Sequence, residues 1–175
     1  MLRLLRPLLV SLLLIAPAAF AEALYQVELI VFRQAEKAVH ASQPAPEDWA
    51  GQAGAIPAQS ERTPVLTDTV AKLEGGQGYQ VLLHKSWLQG AGSSPAPLRF
   101  VTGKESDGHF PVEGVLDLTQ GRQLELSLQA WVNQFNGDGF LASSERLQIK
   151  RRLIPGQLTY LDHPSLGALI RVNPL

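Results

Sequence analysis

Apolar and polar side chains alternate over most of the chain, and the alternation is most regular at Arg122–Phe135. There Leu124, Leu126, Leu128, Ala130 and Val132 interleave with Gln123, Glu125, Ser127, Gln129, Trp131 and Asn133. A period of two marks a strand with one buried and one solvated face. Phe110–Leu118 precedes it, and Thr119-Gln120-Gly121 is short and glycine-containing enough to turn the two into a hairpin. After Asn136-Gly137-Asp138-Gly139 comes Phe140–Leu153, with Leu147, Ile149 and Leu153 inward and Arg146, Gln148, Lys150 and Arg152 outward. Arg151 is the basic exception on its inner row. Near the other end, Tyr25–Gln34 has one wholly apolar row (Tyr25, Val27, Leu29, Val31) and one half-apolar row (Gln26, Glu28, Ile30, Phe32). That pattern predicts an interior strand. Glu28 is read as a carboxylate at the sheet's solvated end rather than a catalytic acid, because unpaired carboxylates are seldom buried. Tyr79–Gln89 is a further strand, with Tyr79, Val81, Leu83 and Trp87 on a face that Lys85 interrupts, and Leu98–Thr102 offers a short one.

The helical period occurs once. Leu66, Val70 and Leu73 form a stripe on Val65–Glu74, with Thr63 as the expected cap, Pro64 at the first helical position and Gly75-Gly76 as the stop. At the C-terminal end, Leu158–Leu161 and Leu166–Val172 flank Asp162-His163-Pro164-Ser165. This predicts a strand, a rigid corner and a closing strand, since Pro164 holds His163 extended and an Asp side chain takes nearby amides. Tyr160, Asp162, His163 and Pro164 are therefore assigned to a structural corner. Residues 35–64 and 90–109 lack a period and are rich in Pro, Gly, Ala and Ser, which predicts loops. Within the first, Trp49 is either pinned to the domain by its ring or free to stack on a ligand. The expected fold is α+β: a mostly antiparallel sheet of about six strands with one short amphipathic helix packed on one face.

The first residues change the accounting. Arg3 and Arg6 precede the apolar run Leu8–Ile15, and Ala19-Phe20-Ala21 places small residues before a cleavage point. This is the pattern of a signal peptide spanning residues 1–21, cleaved after Ala21. The run between Pro7 and Pro17 is shorter than the roughly 20 residues needed to cross a bilayer, so no membrane anchor is expected on the mature chain. Taking 21 residues from 175 leaves 154, at 22–175, a size suited to one domain. The 15 basic and 16 acidic residues become 13 and 16 once Arg3 and Arg6 are removed, a formal charge of −3. An acidic exported domain is a poor match to nucleic acid. With no cysteine, disulfides, thiolate metal sites and lipid attachment through cysteine are excluded.

Enzyme signatures are missing: there is no GxSxG, HExxH, phosphate-binding loop or paired-glycine dinucleotide motif. Asp162 and His163 are adjacent in an extended segment and project to opposite sides, so they do not form a dyad by proximity in sequence. His40, His84, His109 and His163 lack metal-ligand spacing. No catalytic residue, metal or cofactor is expected.

RR-x-x-x-G-x-L-x-YLDHP-x-x-G-x-L-x-R-V at the C-terminal end, together with YQVELIVFRQ and GYQVLLHKSWLQ, resembles the CsiV family of periplasmic peptidoglycan-binding proteins. The likeness runs from Tyr25 to Leu175 outside the two loops. The resemblance implies a non-enzymatic periplasmic protein that supports cell-wall synthesis. It further implies a partner, a penicillin-binding protein reached through that protein's outer-membrane lipoprotein activator. It carries no set of contact residues. Peptidoglycan presents sugar faces, acetamido groups and stem-peptide carboxylates, which call for an aromatic plate, amides and arginine. The outward rows on the paired strands meet that need, so Trp131, Gln129, Arg146, Lys150 and Arg152 are the expected contact residues. The plainer account of Trp131 is a ring packed under a loop. Two other functions fit the sequence: a protein adaptor with no glycan affinity, using a strand edge or the loop around Trp49, and a wall hydrolase centred on Asp162 and His163.

Overall fold

The computed structural model describes residues 23–34, 44–76, 78–94 and 96–175. The expected signal peptide and residues 35–43 of the first loop lie outside them. In chain order the elements are β1 (Ala23–Gln34), β2 (Gly54–Ala55), a 3-10 turn (Ala58–Ser60), β3 (Glu61–Arg62), α1 (Thr67–Gly75), β4 (Tyr79–Ala91), β5 (Leu98–Thr102), β6 (Val112–Gln120), β7 (Leu124–Phe135), β8 (Leu141–Leu153), β9 (Thr159–Asp162) and β10 (Leu166–Pro174). The antiparallel character and the one helix match the sequence reading. The layering does not: the strands form two five-stranded sheets, ordered β3-β4-β1-β10-β9 and β2-β5-β6-β7-β8, instead of one layer of about six. Among the described strand pairs, β2 with β5 is parallel and the rest are antiparallel.

The sheets, here called A and B in that order, pack face to face. Tyr25, Val27, Leu29 and Val31 of β1 and Leu166, Ala168, Ile170 and Val172 of β10 share one core with Leu124, Leu126, Leu128 and Ala130 of β7 and Leu147 of β8. The inward rows expected on β1, β7 and β8 therefore face a core, but against a second sheet. On the far side of sheet A, Ile30 and Phe32 bury with Leu66 beneath α1, against Val70, Leu73 and Val81. Burial on both faces explains why β1 is apolar in both registers. Val81 departs from its expected row because the β1–β4 register slips between Val31 and Phe32, which pair with Leu83 and Val81. The extra residue, Leu82, is a bulge that sends Val81 and Leu83 to opposite faces.

Two glycines are set by close approach. A Cβ on Gly114 would lie 2.5 Å from the Gln129 carbonyl oxygen and closer still to the Phe100 ring. Gly167 lies equally tight beneath Phe32, whose ring also stacks on Tyr160 at 6.3 Å. Each lets an aromatic ring lie flat on the backbone of the neighbouring strand.

Buried glutamates fasten the layers. Glu28 is buried under α1, not at a solvated sheet end. Its Oε1 accepts from the amides of Val65 and Leu66, both at 2.7 Å, and from His84 Nε2 at 2.8 Å. Arg171 Nη2 lies 3.4 Å from its Oε2. The start of α1 is thus held by a carboxylate from the sheet below, and the helix begins at Thr67 with Leu66 as an N-cap that makes no side-chain bond. The expected cap by Thr63 with Pro64 at the first helical position is replaced by this arrangement; a charged acceptor for two amides outweighs a local hydroxyl. Glu145 is buried between the sheets, where it pairs with Arg33 and accepts from Ser165 Oγ at 2.6 Å.

The C-terminal corner is built as expected in shape but with one exchange of roles. His163 Nδ1 accepts from the amides of Ser165 at 3.4 Å and Leu166 at 3.2 Å. Asp162 instead accepts from the Tyr160 hydroxyl at 2.8 Å. Pro164 separates the residue that caps from the amides it caps. Gln34 closes the corner from β1, donating through Nε2 to the carbonyls of His163 and Leu166. Among the described residues no helix is long and apolar enough to cross a membrane.

Candidate functional site

Sheet B's outer face carries all five expected contact residues, in order along the strands. Register places Glu113, Trp131 and Arg146 in one cross-strand row, Val115, Gln129 and Gln148 in the next, then Asp117, Ser127 and Lys150, then Thr119, Glu125 and Arg152. β8 is the edge strand, so Arg146, Lys150 and Arg152 stand along the rim. At about 3.4 Å per residue they cover roughly 20 Å.

Trp131 is not the open plate that the outward row suggested. Its ring is on the outer face, yet only 3 % of the residue is exposed. Two aperiodic segments close over that end of the sheet. The Ala45 amide donates to Ser144 Oγ on β8 at 3.0 Å, and residues 47–51 line a cavity against Arg99 and Val101 of β5. The segment thus crosses the face from β8 to β5. From the other side, the turn before β6 is drawn in by Glu113, which is fully buried. Glu113 accepts from His109 Nδ1 at 2.7 Å, from the Phe110 amide at 2.9 Å and from Asn133 Nδ2 at 2.8 Å. Asn133 also accepts from Ser144 Oγ at 2.7 Å. A carboxylate with this many donors is stable without water, and the network secures both covering segments.

The buried ring still has a role at the surface. Arg146 Cζ lies 5.6 Å from the Trp131 ring centroid, a cation–π distance. With the Gln129 amide oxygen turned towards it, the same guanidinium donates from Nη2 at 2.7 Å and Nε at 3.1 Å. Two of the five residues therefore fix a third. Arg146 is exposed but held by its face and one edge, leaving the other edge to solvent. Lys150 and Arg152 are exposed, and Arg152 lies 3.6 Å from Glu125 between two solvated groups. Asp117, Ser127, Lys150 and Arg151 line a shallow groove of about 430 Å³ at this end.

The family profile described as "Peptidoglycan-binding protein, CsiV" matches residues 4–64 and 55–175. The chain belongs to the CsiV family. No curated protein and no solved structure matches it. Membership agrees with the residues that carried the resemblance, and those residues serve the fold of this CsiV chain. YLDHP forms the corner between β9 and β10, and YQVELIVF is the doubly buried β1. Asp162 accepts from Tyr160 there, while His163 takes two backbone amides.

Sequence reasoning missed the anchoring glutamates. The available signal was a lone Glu beside apolar strand residues, seen at Glu28 between Val27 and Leu29 and at Glu113 after Val112; Glu145, between Ser144 and Arg146, carries no such signal.

Proposed function

We propose that this CsiV-family protein is a non-catalytic periplasmic protein that binds peptidoglycan and supports cell-wall synthesis, gripping stem-peptide carboxylates with the cationic rim of β8. The observation that carries the reading is Arg146, laid on the buried Trp131 ring and held by Gln129. An arginine whose face and one edge are already occupied has lost most of its rotamer freedom, so it loses less on meeting a carboxylate, and its remaining fork suits that group. Lys150 and Arg152 continue the line of positive charge along an unpaired strand edge. A repeating polymer with regularly placed carboxylates meets such a row at several points at once, and multivalency raises modest single contacts to useful affinity.

The finer role belongs to the same proposal: the protein assists a penicillin-binding protein through its outer-membrane lipoprotein activator, as the family resemblance implies. Non-catalytic action is supported by the use of every buried carboxylate as a structural anchor. Co-sedimentation with purified sacculi tests the binding. The mature protein pellets at low salt, release rises with ionic strength as screening requires, and the triple variant Arg146→Ala, Lys150→Ala, Arg152→Ala stays in the supernatant. Wild-type protein that never pellets, or a triple variant that pellets equally, overturns the reading.

A further inference from the structure

The open edge of the sandwich, between β3–β4 of sheet A and β2–β5 of sheet B, holds a cavity of about 580 Å³ that the β8 rim does not touch. Trp49 and Phe110, both half-buried, line it as an aromatic pair. Lys85 and Arg99 bring positive charge, and Glu61 and Glu105 bring negative charge. Lys85 lies on β4, in the row expected to be apolar, and Glu61 pairs with Trp87 two residues further along that strand. Glu47 and Asp48 add carboxylates from the crossing segment.

The informative feature is what these groups leave undone. Among the described residues, none of these six charged side chains makes an ion pair or a side-chain hydrogen bond. Both signs line one cavity, five of the six groups exposed to solvent, with no ion pair between them. A site for neutral sugar has no need of unpaired charge of either sign, and a purely anionic ligand would be repelled by four carboxylates. A group bearing an ammonium and a carboxylate together satisfies both sets.

We infer that this cavity binds the zwitterionic end of a stem-peptide diamino acid, its ammonium among Glu61, Glu105, Glu47 and Asp48 and its carboxylate at Arg99 and Lys85, with the alkyl arm against Trp49 and Phe110. Resting on the peptidoglycan-binding reading, the inference makes the protein selective for stems whose diamino acid is free of a cross-link, because cross-linking converts the ammonium to an amide.

The probe is the tripeptide L-alanyl-γ-D-glutamyl-meso-diaminopimelate, titrated into the 15N-labelled mature protein while the Trp49 indole N–H is followed. Two controls run beside it: the same tripeptide with L-lysine in third place, and the peptide-free disaccharide. The diaminopimelate peptide is expected to shift the Trp49 signal to saturation. The lysine peptide, lacking the side-chain carboxylate, is expected to bind about tenfold more weakly, the worth of one charge-assisted contact. The disaccharide should leave the signal in place, and Arg99→Gln or Glu61→Gln should weaken the peptide at least fivefold while sedimentation with sacculi persists. Equal affinity for both peptides, or a disaccharide that moves Trp49 as far, overturns the inference. So does a still Trp49 signal in protein that sediments with sacculi. Wild-type protein that fails to sediment overturns the earlier reading instead.

Discussion

Trp131 and Arg146 touch, yet the structure gives them opposite duties, and substituting each alone separates them. Trp131→Leu removes most of a ring that is 97 % buried beneath the covering segments, given its exposure of 3 %. Truncating a buried aromatic to alanine costs about 3–5 kcal/mol; leucine refills part of the space, so about 2–3 kcal/mol remains. Loss of the cation–π contact at a solvated arginine adds about 0.5–1 kcal/mol. The sum is close to 3 kcal/mol, which in a domain of this size lowers Tm by about 6–12 °C. Binding should suffer less: freeing Arg146 returns part of the roughly 2 kcal/mol of arginine rotamer entropy, so affinity for sacculi falls about threefold to tenfold. Arg146→Ala should do the reverse. Its exposed side chain contributes about 1 kcal/mol or less to stability, whereas losing a fork that bonds a carboxylate costs about 1.5–3 kcal/mol, at least tenfold in affinity. Thermal melts by circular dichroism and sacculus binding isotherms measure both effects on both variants. A Trp131→Leu protein with unchanged Tm and abolished binding would show that the ring meets the ligand directly, and would refute the reasoning.

Three further outcomes test the anchors. Glu28→Ala leaves the Val65 and Leu66 amides and Arg171 without their acceptor in a buried place; it should cost about 3–4 kcal/mol, and hydrogen exchange should show α1 opening before the strands. Gly114→Ala forces a methyl against the Gln129 carbonyl and the Phe100 ring, an overpacking worth about 1–3 kcal/mol or more, visible as a lower denaturant midpoint with an unchanged slope. Burial, and then the Asp162 carboxylate that accepts its hydrogen bond, push the Tyr160 hydroxyl up to about 12. Spectrophotometric titration should find that late phenolate and see it move down in Asp162→Asn. Because the folded form keeps the proton longer than an unfolded chain, this group's contribution to stability is full below about pH 10 and fades as pH climbs through 12.

The strand faces were legible because alternation reports which residues share a side, and β7 and β1 held that pattern without a break. Alternation does not report which sheet a strand joins. β1 lies between β4 and β10, and its pairing of Tyr25 with Pro174 spans nearly the whole chain. No local signal links those residues, so two sheets were read as one. The bulge at Leu82 was equally silent, since one inserted residue leaves composition unchanged while inverting a face. Trp131 was misjudged for a third reason. Its cover comes from aperiodic residues near Ala45 and His109 that resemble solvent-exposed loop, and the network around Glu113 and Ser144 helps to hold them down. The five residues do share a face, but the tryptophan lies beneath the arginine.

The central claim is that peptidoglycan meets the rim of β8, and hydrogen–deuterium exchange with soluble, uncross-linked glycan strands measures it most directly. Among the described residues β8 is an edge strand with no strand paired on its outer side, so its outward amides should exchange quickly in the free protein. The account predicts that saturating strands slow exchange across Arg146–Arg152 and leave α1 on the opposite sheet unchanged. Protection over α1, with Arg146–Arg152 exchanging as fast as before, would contradict it.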